Sequence, residues 1–83
     1  MTGAQALIES LKWEQVAHIF GYAGATICPA VDALKSHPEI GYTLVRTEQN
    51  AGHMASGYAR VSGKVGVCMV TSGPGATNLI TGI

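Results

Sequence analysis

Residues 65–80 read VGVCMVTSGPGATNLI, and the order of residue types within them decides the fold. Val65 to Thr71 is a continuous apolar run, the mark of a strand covered on both faces. Ser72-Gly73-Pro74-Gly75 is a tight loop, and Ala76 to Ile83 starts a helix. A strand that feeds through a glycine-rich turn into a helix is a building unit of a parallel α/β sheet.

Upstream lies EQNAGHMASGYARVSGK, residues 48–64. Ala51, Met54, Ala55 and Tyr58 recur at i, i+3, i+4 and i+7, the spacing of one helical face. Glu48 in the first turn and Arg60 in the last suit the helix dipole, and Gly63 is a natural left-handed cap. Before it, Tyr42 to Arg46 (YTLVR) reads as a strand. Pro29 fits a helix first turn, and Ala30, Val31 and Leu34 form an apolar stripe. That helix must stop near Ser36, because the residue before Pro38 is pushed out of the helical region. Val16 to Tyr22 (VAHIFGY) reads as the first strand, ending on Gly21 and Gly24. Thr2 is a cap for a helix over about 3–14, with Ala4, Leu7, Ile8 and Leu11 on one face. The predicted order is αβαβαβα: a partial parallel sheet with flanking helices, in three α/β/α layers. Three strands are few for a sheet covered on both faces, and Ile83 falls inside a helical pattern. The chain is therefore expected to be one incomplete domain, the first part of a larger one.

Composition removes several function classes. The 83 residues are 47% hydrophobic and only 12% charged, which argues against disorder. Five basic and five acidic residues cancel, and no basic stripe exists, so nucleic acid is not an expected partner. No apolar run approaches the ~18–20 residues of a membrane span, and MTGAQALIESLKW does not read as a secretory leader. Cys28 and Cys68 without a CxxC motif read as reduced thiols of a cytoplasmic protein. His18, His37 and His53 lie far apart without metal-ligand spacing, so no metal ligands are expected.

Three loops fall at one edge of the predicted sheet, where ligands of α/β proteins bind. TSGPGATN (71–78) exposes backbone N–H groups to an anion or a polar ring edge, or else needs glycine only for space. It is not a dinucleotide fingerprint, since Asn78 stands where a third glycine belongs, and no GKS or GKT follows for a P-loop. Glu48, at the end of a strand and the start of a helix, is either a site carboxylate or a dipole-stabilised surface one. Tyr22 in the loop GYAGA (21–25) is either a pocket wall or a half-buried ring. His53 reads as a packing or hydrogen-bonding residue, and Cys68 as a small buried hydrophobe. The small residues Gly52, Ala55, Ser56 and Ala59 suit close approach, by this chain's own sheet or by another subunit.

FGYAGA (20–25), RTEQNAGHMASGYAR (46–60) and GVCMVTSGPGATNLITGI (66–83), with the opening TGAQALIESLKWEQV, together resemble one family. It is the N-terminal, pyrimidine-binding region of acetolactate synthase (acetohydroxyacid synthase) catalytic subunits. The resemblance runs through the whole chain and is less specific against other thiamine-diphosphate enzymes, such as sulfoacetaldehyde acetyltransferase or pyruvate oxidase. It implies a thiamine-diphosphate cofactor whose Mg²⁺ is held by a region absent from this chain. It implies decarboxylation of pyruvate and carboligation to a second 2-keto acid, in branched-chain amino-acid biosynthesis. It implies a site shared between two subunits of a homodimer or higher homo-oligomer. Residue by residue, Glu48 matches the glutamate that hydrogen-bonds the pyrimidine N1′, the proton-handling carboxylate of the site. Tyr22 and Gly24 match the loop near the reacting centre, and Pro74 and Asn78 the loop near the pyrimidine. The family reads FGYPGG where this chain has Ala23 and Ala25, which implies a less preorganised loop, and often has His where Thr47 stands. By itself the chain is expected to be inactive; a non-catalytic, self-associating α/β module is the rival expectation.

Overall fold

The computed structural model of the chain describes residues 2–83. Seven elements alternate as expected: α1 (Gly3–Trp13), β1 (His18–Tyr22), α2 (Cys28–Ala33), β2 (Gly41–Leu44), α3 (Glu48–Ser62), β3 (Val67–Val70) and α4 (Pro74–Leu79). Single 3-10 turns extend α2 over Leu34–Ser36 and α4 over Ile80–Gly82. The sheet is parallel throughout, in the order β2-β1-β3. Phe20 sits opposite Thr43 on one side and Cys68 on the other, which sets the register.

Alternation along β1 sends side chains into two separate cores. Ile19 joins Ile8, Ala30, Leu34, Ile40 and Met69 under α1 and α2. Phe20 joins Val45, Ala51 and Ala55 under α3. Helices therefore cover both sheet faces, giving three layers. The close fit of the α3 layer depends on glycine: a Cβ on Gly66 would run into the carbonyl of Ala55.

Most helix ends follow the sequence. Thr2 and Gln5 form a reciprocal capping box at the start of α1, at 2.9 and 3.1 Å. Gly63 closes α3 at φ 74°. The end of α1 has no glycine signal. There Gln15 adopts φ 62°, donates to the carbonyl of Lys12, and lets Val16 donate back to Leu11. This is a Schellman closure with glutamine in the left-handed position, a conformation that costs about 1–2 kcal/mol for a residue with a Cβ. It consumes Val16, so β1 begins at His18 rather than at Val16. β2 and β3 are likewise shorter than the apolar runs that predicted them. Val65 lies outside the ladder and is exposed. α4 starts two residues earlier than expected, because Gly73 takes φ 70° and ψ −127° and Pro74 supplies the first helical φ.

His37 fastens the end of the α2 segment to α1. Its Nε2 lies 2.7 Å from Glu9 Oε1 and its Nδ1 3.1 Å from the Ala33 carbonyl. Both partners are acceptors, so only the imidazolium satisfies both contacts. The hydrogen bond to Glu9 raises the His37 pKa, and the same bond lowers that of Glu9. Lys12 and Glu39 pair beside them at 3.6 Å. The stabilisation from His37 is complete below the unfolded histidine value of ~6.5 and is lost as pH rises through the higher folded value. That from Glu9 is complete above the unfolded value of ~4.3 and is lost as pH falls through the lower folded value. The melting temperature is expected to peak between about pH 4.3 and 6.5 and to decline on both sides, with Glu9→Gln flattening the alkaline decline. Equal melting temperatures at pH 6 and 8.5 in the unaltered protein would contradict this.

Candidate functional site

With β1 central, its connection to β2 runs under one face and α3 returns across the other to β3. The loops after β1 and β3 therefore leave the sheet in opposite directions and open a crevice at the carboxyl edge. Such a switch point is where open α/β sheets bind ligands.

Thr71, the first residue past β3, wedges this crevice. A Cβ added to Gly24 would lie 2.6 Å from the Thr71 Cβ, and one added to Gly75 would lie 2.9 Å from its Cγ2. Two glycines from different loops thus close around one threonine side chain. Ser72 and Thr26 link the same loops through their hydroxyls at 3.5 Å. Neither Thr71 nor Gly75 stood out in the sequence beyond membership of the TSGPGATN stretch. Their pairing with Gly24 spans about fifty residues, and no local pattern carries it.

Glu48 is the first residue of α3, set there by the Thr47 cap, whose hydroxyl accepts from the Asn50 N–H at 3.4 Å. Its side chain is half-buried and reaches α4. The Asn78 side-chain amide donates to Glu48 Oε1 at 3.4 Å, and the Cβ position of Gly75 is 3.5 Å from Oε2. The α3 dipole favours a negative charge at this position by about 0.3–1 kcal/mol. Among the described residues no cation pairs with Glu48.

The structure thus gathers Glu48, Asn78 and Gly24, with Thr71 and Gly75 between them. Tyr22 ends β1 at the same edge, opposite Val70, with its ring 39% exposed. Pro74 opens α4 and is exposed. Neither contributes a hydrogen bond to the Glu48 cluster. The 23–27 loop is ordered without proline: the Ile27 and Cys28 N–H groups both bond back to the Gly24 carbonyl at 3.1 and 3.0 Å. Ala23 and Ala25 adopt no positive φ, so the alanines cost no backbone strain there.

Other sequence candidates lie elsewhere. His53 is exposed on α3 and its side chain makes no hydrogen bond among the described residues, which corrects its reading as a packing or hydrogen-bonding residue. Cys68 is half-buried in β3, where burial pushes its thiol pKa up, as expected for an inert thiol. Of the small residues on α3, Gly52 and Ala55 are taken up inside the molecule, against Leu79 and Gly82 and against Gly66. Ser56 and Ala59 line a shallow groove of about 270 Å³ beside them. Among the described residues no three His, Cys, Asp or Glu side chains gather where they could hold a metal ion, and no helix is long and apolar enough to cross a membrane.

The chain is similar to known proteins along its whole length. The probable acetolactate synthase large subunit of Methanococcus aeolicus is 55% identical over 83 residues, all of this chain and 14% of that protein. The acetolactate synthase of Arthrospira platensis is 56% identical over 86 aligned residues, covering all of this chain and 15% of the relative. The acetolactate synthase of Mycobacterium bovis is 57% identical over 81 residues, 98% of this chain and 13% of the relative. The chain thus spans about one-seventh of the length of the curated relatives it matches. The family model described as the thiamine pyrophosphate enzyme, N-terminal TPP binding domain, matches residues 1–83. A parallel α/β unit with a carboxylate at its switch point, matched by that model from end to end, belongs to the N-terminal domain family of the thiamine pyrophosphate enzymes.

Proposed function

We propose that the chain forms the opening part of the pyrimidine-binding domain of an acetolactate-synthase-like enzyme. In this reading it carries the carboxylate that engages thiamine diphosphate. The observation that carries the reading is Glu48: a half-buried carboxylate at the switch point, with no cationic partner among the described residues and an Asn78 donor on one oxygen. The surroundings fit a flat polar ring. Glycine at 24 and 75 adds no side chain to the crevice beyond that of Thr71, on which both pack, and Glu48 Oε2 has a bare glycine beside it.

Glu48 would face the pyrimidine N1′ and handle its proton, Tyr22, Gly24 and Pro74 would line the ring's place, and Asn78 would stand beside Glu48. When bound, thiamine diphosphate supplies the electron sink for decarboxylating pyruvate and joining the two-carbon unit to a second 2-keto acid. The diphosphate and its Mg²⁺ belong in this reading to a part of the enzyme outside these residues. A homo-oligomer completes the site. Val61, Val65, Ile80 and Ile83, each more than 60% exposed in this chain, are apolar surface that another subunit or the rest of the intact protein would cover.

The test is product analysis with the intact protein. Acetolactate from pyruvate, dependent on added thiamine diphosphate, is the expected result. Acetyl phosphate formed from pyruvate or from sulfoacetaldehyde would move the chain to a pyruvate oxidase or a sulfoacetaldehyde acetyltransferase. No thiamine-diphosphate-dependent turnover of any of these would leave a self-associating, non-catalytic module.

A further inference from the structure

Glu48 has two carboxylate oxygens, and the structure treats them differently. Oε1 faces the Asn78 side chain at 3.4 Å. A carboxylate only accepts, so the edge of Asn78 turned toward it is the NH₂ edge. Oε2 lies on the side of Gly75, 3.5 Å from where a Cβ would be, and has no hydrogen-bond partner among the described residues. Gly75 and Asn78 are three residues apart on α4, so one helical face meets both oxygens. Asn78 holds one oxygen, and Gly75, packed on Thr71, puts no side chain of its own beside the other.

α4 is itself fixed. Gly75 and Gly24 both pack on the Thr71 side chain, and the turn after α4 packs backbone to backbone on α3 at Gly52 and Gly82. Asn78 itself is exposed, and its amide at 3.4 Å narrows the rotamers that Glu48 samples at the helix start. Holding a reacting group in one geometry lowers the entropy lost when its partner binds.

We propose that Asn78 is a positioning residue for Glu48: its amide ties Oε1 so that Oε2, over the bare Gly75, is the oxygen presented to the aminopyrimidine ring. The inference rests on the reading of Glu48 given above, and it assigns Asn78 an action through the carboxylate rather than on the cofactor.

The test is a double-mutant cycle on thiamine diphosphate affinity, measured by calorimetry with the intact protein in the absence of 2-keto acid. Asn78→Ala is expected to weaken binding about three- to tenfold, the order of the entropy lost when one free side chain is fixed. In a Glu48→Ala background the same change is expected to weaken it less than about twofold. Asn78→Gln, whose longer amide can still reach a carboxylate, is expected to recover part of the loss. Thermal melting of each variant separates misfolding from lost positioning. An equal loss from Asn78→Ala in both backgrounds overturns the proposal, as does no loss in either. If Glu48→Ala alone leaves affinity unchanged, it is the underlying reading of Glu48 that fails.

Discussion

Glu48→Gln in the intact protein is expected to lower thiamine-diphosphate-dependent turnover about 10²- to 10⁴-fold, the range of a general acid–base contribution. The substitution is nearly isosteric. A glutamine keeps an oxygen for the Asn78 amide, and Thr47 still caps α3 through the Asn50 N–H. The structural loss is confined to the dipole interaction at the start of a 15-residue helix, about 0.3–1 kcal/mol. What disappears is the ability to hold a proton at the pyrimidine N1′. Activity should therefore collapse while the melting temperature changes by no more than a few degrees. Near-normal turnover in this variant would remove the role assigned to Glu48.

The largest effect on stability is expected at Ile19. It is fully buried on the central strand, and Ile8 of α1 is the other large side chain with no exposure. Ile19 sits where α1, α2 and the sheet meet, so its removal opens a cavity that three elements must close together. Ile19→Ala is expected to cost about 2–5 kcal/mol, a large share of the ~5–15 kcal/mol that holds a typical domain folded. Lys35→Ala, at a side chain 82% exposed after α2, is the control and should stay within about 0.5 kcal/mol. Denaturant midpoints of the two variants in the intact protein check both values. A loss below about 1 kcal/mol at Ile19 would mean that the two-sided core is wrongly placed.

Much of this architecture was legible because local chemistry and global packing agree. The apolar run before TSGPG became β3, with Met69 facing one core and Cys68 the other, as a strand covered on both sides requires. Thr2, Gly63 and Pro38 marked helix ends through their own backbone preferences, and α2 with its 3-10 turn stops at Ser36 as expected. The Gln15 closure was invisible, because glutamine carries no left-handed signal and is held at φ 62° by the helix-end hydrogen bonds. Strand lengths were overstated because hydrophobicity continues past the point where the ladder stops.

The candidate site divides in the same way. Glu48 was legible from its place at a strand end and a helix start, and the resemblance gave it a role. Thr71 and Gly75 were not, since their meaning lies in how Gly24, from a distant loop, packs against the same threonine. The Asn78 contact with Glu48 likewise spans 30 residues and exists only once α3 and α4 lie side by side. Tyr22 and Pro74 occupy the expected edge, yet nothing within the chain holds them to the carboxylate.

The most direct test is a crystal structure of the intact protein with thiamine diphosphate bound. A Glu48 carboxylate oxygen should lie ~2.6–3.2 Å from the pyrimidine N1′, with the ring in the crevice between the Gly24 and Gly75 loops. A pyrimidine ring bound elsewhere, with Glu48 facing only solvent and Asn78, would contradict the assignment of this sheet edge as the cofactor site.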